Sequence, residues 1–218
     1  MSSPAQARPV GRILAIAGAI VAVAALAFGI GRFTAFDATT APATPSTDSA
    51  EAGFARDMQV HHGQAVDMAM EIYRKTSDDE LRTLSYDIAT GQSAQRGEMY
   101  GWLVSWGLSQ SGGPLMSWMQ DSSAHQHDAQ ATDAQLRDEM GMATDAQLAQ
   151  LRAATGTTAD CQFLGLMIRH HEGAIPMAQA VIELGSDARV SAVAQSMIDT
   201  QSAEIDAMRS IQTRLACS

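Results

Sequence analysis

The chain has 218 residues, with 14 basic against 24 acidic side chains and only 5% aromatic residues. Arg8, Arg12 and Arg32 all precede the first acid, Asp37, so from there on 11 basic face 24 acidic side chains, a net charge of −13 that repels nucleic acid and attracts cations. Abundant Ala, Met and Gln, with few β-branched runs of period two, argue against a β architecture and predict an all-α fold.

Residues 1–12 are short, polar and carry Arg8 and Arg12. Residues 13–31, ILAIAGAIVAVAALAFGIG, are an unbroken apolar run. As a helix it would span roughly 28 Å, about the hydrocarbon thickness of a bilayer. That length favours a single-pass transmembrane anchor, with a cleaved signal as the alternative. Two arginines before the run and one after it place the N-terminus in the cytoplasm and everything that follows outside. Residues 32–51 are rich in Ala, Thr, Pro and Ser without periodicity, as in a disordered tether.

The stretch after the tether occurs twice. FARDMQVHHGQAVDMA, from Phe54, returns as FLGLMIRHHEGAIPMA, from Phe163. The offset of 109 residues also relates Gln92-Ser93-Ala94 to Gln201-Ser202-Ala203 and Met99 to Met208. An ungapped repeat of this length means one supersecondary unit used twice. Residues 52–107 and 160–218 are therefore expected to be two helical hairpins.

In the first hairpin Phe54, Met58, His61, Ala65 and Met68 form one stripe on a helix of about 52–75, with His62 at its edge. Ser77 or Asp78 can cap the next helix. Its stripe reads Leu81, Ser85, Ile88, Gln92, Gln95, Met99, Trp102 and Trp106. Residues 108–159 are an insert. SQSGGP breaks the helix, and TDAQL at Thr132 and again at Thr144 opens two short helices closed by Gly141 and Gly156. In the second hairpin a helix of about 160–184, with an expected kink at Pro176, carries Phe163, Met167, His170, Ala174 and Met177. The last helix, about 187–215, carries Val190, Ala194, Met197, Gln201, Glu204, Met208, Ile211 and Leu215. Cys161 and Cys217 fall at hairpin ends that meet, so outside the cytoplasm they should pair.

Polar groups in the middle of apolar stripes are the anomaly. His61, His170, Gln92, Gln95, Gln201 and Glu204 each cost free energy to bury without partners. A hydrogen-bonded core network is the bland explanation. Metal binding explains more: neutral imidazole takes transition metals, and thioether sulfur prefers soft ions, Cu(I) above all. The candidate ligands are Met58, His61, His62, Met68, Met99, Met167, His170, His171, Met177 and Met208. Gln92, Gln95, Gln201 and Glu204 are candidates for orienting the imidazoles. Met116, Met119, His125, His127, Met140 and Met142 in the insert are auxiliary candidates. Di-iron bundles place Glu-x-x-His where this chain has Met58-x-x-His61 and Met167-x-x-His170, which argues for copper or silver over iron. There is no nucleophile–base pair, G-x-S-x-G, phosphate loop or H-E-x-x-H, so no catalytic residue is assigned.

With both His-His motifs in view, the chain resembles the bacterial envelope family known as domain of unknown function 305. The shared signature is M-x-x-H-H-x-x-A-x-x-M-A, present here at Met58–Ala69 and Met167–Ala178. The resemblance implies a ferritin-like antiparallel four-helix bundle and, for some members, copper binding and copper tolerance through Met and His. The second copy departs in having Ile211 and Leu215 where the first has Trp102 and Trp106. The expectation is an extracytoplasmic Cu(I) protein, with Ag(I) as a second ion, acting as a buffer or chaperone. The rivals are a metal-free envelope interaction module, with Trp102, Trp106 and Trp118 marking a partner surface, and a metal-dependent oxidase.

Overall fold

In the computed structural model the chain divides into two units, residues 1–43 and 44–218. The structure describes residues 44–124 and 131–217, all within the second unit. The apolar run at 13–31, most of the 32–51 tether, and His125 and His127 lie outside the described residues. Among the described residues no helix is long and apolar enough to cross a membrane.

These residues form six α-helices and no strand: α1 (Ala50–Lys75), α2 (Asp79–Ser105), α3 (Asp133–Glu139), α4 (Asp145–Ala153), α5 (Gly156–Leu184) and α6 (Ala188–Arg214), with a 3-10 turn at Ser117–Met119. Five of their six starts follow from capping chemistry, α5 having no side-chain cap. Ser49, Asp78 and Asp187 accept from the first-turn amides of α1, α2 and α6, and Thr132 and Thr144 close capping boxes with Gln135 and Gln147.

Three boundaries differ from the expectation. α1 begins at Ala50, so Glu51 belongs to a helix and not to the tether. Its carboxylate accepts from the Ser186 and Asp187 amides at 2.6 and 3.1 Å, so α1 caps the turn before α6. Asp160, 109 residues on, meets the Thr76 side chain in the turn before α2, without the backbone-amide bonds that Glu51 makes. Gly156 opens α5 at φ +56° and does not close α4, which ends at Ala153. α5 continues through Pro176 as one helix.

The four long helices make a bundle. α1 packs along α2 and α5 along α6, while α1 lies against α5 and α2 against α6. Cys161 and Cys217 form a disulfide with Cα atoms 5.4 Å apart, tying the start of α5 to the end of α6.

The core is split into two apolar clusters. One holds Phe54 and Met58 of α1, Met99 and Trp102 of α2, Met177 and Val181 of α5, and Val190 and Met197 of α6. The other holds Met68 and Ile72 of α1, Leu81 and Ile88 of α2, Phe163 and Met167 of α5, and Met208 and Ile211 of α6. Each large side chain so buried contributes about 1.5–3 kcal/mol. Every long helix crosses from one cluster to the other through a pair of polar residues: His61 and His62, Gln92 and Gln95, His170 and His171, Gln201 and Glu204.

The insert joins this core. Met116, Met119, Met140 and Met142 are all buried in the first cluster, which thereby gathers eight methionines. Asp57 of α1 accepts from the Met116 amide and from Trp118 Nε1, at 2.8 and 2.9 Å. Trp102 is 3% exposed, and Trp106 and Trp118 pack against the same cluster. Trp102 is therefore a core residue, while Trp106 and Trp118 are half-buried at the edge of that cluster.

Candidate metal centre

The layer between the clusters is built from four fully buried histidines. His61 and His170 stack, with ring centroids 3.6 Å apart and planes inclined by 32°. His62 and His171 lie outward of them, at centroid distances of 6.2 and 6.3 Å from His61 and His170. All four have no solvent-exposed surface.

Each imidazole is held through Nε2. His62 Nε2 donates to Gln95 Oε1 at 2.7 Å, and His171 Nε2 to Glu204 Oε2 at 2.8 Å. Both pairs are 33 residues apart in sequence, and each element of one is 109 residues from its counterpart. His170 Nε2 donates to the His61 carbonyl at 3.1 Å. His61 Nε2 breaks the symmetry and donates to the Met140 carbonyl at 2.9 Å. A carbonyl only accepts, so the proton sits on Nε2 and Nδ1 keeps its lone pair. None of the four Nδ1 atoms has a hydrogen-bond partner.

Burial also keeps His61, His62 and His170 neutral. It pushes His61 down to about 4, despite the Met140 carbonyl acting in the opposite sense. It pushes His62 down to about 3, with His61 adding to the effect. His170 is held well below the usual range by burial and by its histidine neighbours. Neutral imidazole with a free Nδ1 is the form that ligates metal, and tying the other nitrogen to a carbonyl or carboxylate is how metal-bound histidines are oriented.

The other candidates fall into place unequally. Gln95 and Glu204 contact histidines. Gln92 and Gln201 are buried in the same layer, yet both amide atoms of Gln92 and Oε1 of Gln201 lack partners. Met58, Met99 and Met177 lie in the first cluster and Met68, Met167 and Met208 in the second. Met58 and Met167, each three residues before a His pair, thus stand on opposite sides of the layer. Among the described residues no three His, Cys, Asp or Glu side chains stand together as a ready three-ligand site. An ion held here would draw on thioether sulfur, on ring movement, or on both.

Sequence reasoning missed how the insert enters the site. The turn at 140–143 is clamped on both sides. Gln64 of α1 exchanges two hydrogen bonds with the Ala143 backbone, at 2.8 and 2.6 Å. On α5, a side chain at Gly173 would begin 2.0 Å from the Met140 carbonyl oxygen, and one at Gly141 would begin 2.1 Å from that of Arg169. The one available signal was Gly173 itself. A glycine inside a helix costs about 1 kcal/mol and marks a close backbone approach.

The family model described as Domain of unknown function (DUF305) matches residues 51–212. No curated protein matches the sequence. Among solved structures, a DUF305 protein from Streptomyces coelicolor is 37% identical, with a TM-score of 0.70, covering 79% of this chain and 98% of that one. A DUF305 fragment from Deinococcus radiodurans is 30% identical, with a TM-score of 0.64, covering 80% and 99%. CopM in its Cu(II)-bound form is 25% identical, with a TM-score of 0.57, covering 76% and 97%. CopM has also been solved in Cu(I)-bound and silver-bound forms.

Proposed function

The chain belongs to the DUF305 family, and we propose that it is an extracytoplasmic protein that binds Cu(I), and Ag(I) through the same donors, as a buffer or chaperone in metal tolerance. The observation that carries the reading is the set of four buried imidazoles whose Nε2 atoms are all engaged and whose Nδ1 atoms are all unpartnered. Each unpartnered buried polar atom costs about 1–3 kcal/mol, so a purely structural network leaves four such costs uncompensated in one layer. A soft cation would engage those lone pairs. His61, His62, His170 and His171 would supply nitrogen, and Met58, Met68, Met99, Met167, Met177 and Met208 would supply thioether sulfur from either side.

Ligand chemistry favours copper and silver over iron. Thioether suits soft monovalent ions, and Glu204 is the one carboxylate in the layer. CopM, which shares the fold, takes copper and silver ions, and that likeness supports the reading. The Cys161–Cys217 bridge suits an oxidising compartment. The apolar run at 13–31 would tether the ferritin-like bundle to the membrane, with residues 1–12 in the cytoplasm. The metal ion is the partner of this reading, and a protein partner in the envelope would receive or deliver it.

The experiment is a competition titration against a Cu(I) chelator, under reducing conditions mild enough to spare the disulfide. Replacing Met58, Met68, Met167 and Met177 with leucine changes core volume little. It should nonetheless weaken Cu(I) binding while His-based Zn(II) binding largely survives. Replacing the four histidines with alanine should reduce both. A leucine variant that keeps parental Cu(I) affinity, with parental helicity by circular dichroism, would show the methionines to be packing alone.

A further inference from the structure

The 109-residue offset that equates the two hairpins makes their differences readable position by position. Gln95, which orients His62, corresponds to Glu204, which orients His171. The next position holds Arg96 in the first hairpin and Ile205 in the second. One half of the layer therefore has an amide with an exposed arginine beside it, where the other has a carboxylate and a buried aliphatic chain. We propose that the two halves are unequal ligands, and that the His170–His171 half takes the first soft cation because Glu204 gives it a negative charge the His61–His62 half lacks. The inference rests on the metal-binding reading above.

The geometry makes the difference effective. His171 is fully buried and the Glu204 side chain is only 16% exposed, so water screens their interaction little. A cation on His171 Nδ1 draws electron density from the ring and makes Nε2–H a stronger donor. A carboxylate answers that change with a charge-assisted hydrogen bond, and an amide oxygen does so less well. On the other side, the Arg96 guanidinium carbon lies 3.6 Å from where a side chain at Gly63 would begin, next to His62. Its positive charge opposes a second one on that ring. Ile205, its counterpart, is 5% exposed and carries no charge.

Glu204 and Gln95 are thus positioning residues that set loading order. The test is a titration of the folded chain with Ag(I), which needs no reductant, followed by nitrogen-15 resonances of the histidine rings and by competition for affinity. In the parent, His171 should shift at lower Ag(I) than His62. Glu204→Gln should weaken the first ion by about 10–100-fold. The double variant Glu204→Gln with Gln95→Glu should invert the order, with His62 shifting first, an outcome that mere damage to the fold does not produce. Simultaneous shifts of His62 and His171 in the parent, or an unchanged order in the double variant, overturn the inference and leave the metal-binding reading standing. A parent that takes no Ag(I) and no Cu(I) overturns both.

Discussion

Acidification should unfold the ion-free protein at an unusually mild pH. An unfolded histidine titrates near 6.5, whereas His61 titrates at about 4 and His62 at about 3 in the fold. Between those values the unfolded chain binds more protons than the folded one, so stability falls as pH falls. Integrating from pH 7 to pH 5 gives about 2 kcal/mol for each of the two, or about 4 kcal/mol together. His170, depressed in the same direction, adds to that loss. Asp57 and Asp160, raised by burial, act with the opposite sign above about pH 4. Asp78, lowered to about 2, loses its contribution only below that window. Against a typical total of 5–15 kcal/mol the histidine effect is large. Urea denaturation followed by circular dichroism at pH 7, 6 and 5 measures it. A loss below about 1 kcal/mol between pH 7 and 5 would mean that the histidines are not buried as neutral rings.

Two further outcomes follow from packing and connectivity. Gly173→Ala puts a methyl carbon against the Met140 carbonyl and should destabilise the protein by about 3 kcal/mol. Gly165→Ala, on the same helix with open space around it, should instead stabilise it by up to about 1 kcal/mol; equal denaturation midpoints for the two variants would refute the close approach. Replacing Cys161 and Cys217 with serine opens a loop of 56-residue separation and should cost about 4 kcal/mol by chain entropy, read as a lowered denaturation midpoint, while the parent, unfolded without reductant, should show no free thiol.

Much of this molecule follows from local pattern. The 3.6-residue stripes set the four long helices, the 109-residue repeat set their equivalence, and Asp78 set where α2 starts, because periodicity and capping act over a few residues. The same stripes exposed His61, His170, Gln95 and Glu204 as polar residues in apolar company, and the meeting of hairpin ends pointed to Cys161–Cys217. What the stripes do not encode is which side chain meets which across the bundle. Tertiary packing put the two histidine pairs into one layer with His61 stacked on His170, and sent Met58 and Met167 to opposite sides of it. It also brought the insert to the site through a main-chain carbonyl. The Met140 carbonyl holds His61 because Gln64 and Gly173 sit on two different helices that grip one turn. Main-chain atoms carry no sequence signature, and a hydrogen bond spanning 79 residues exists only once the helices on both sides have been brought together.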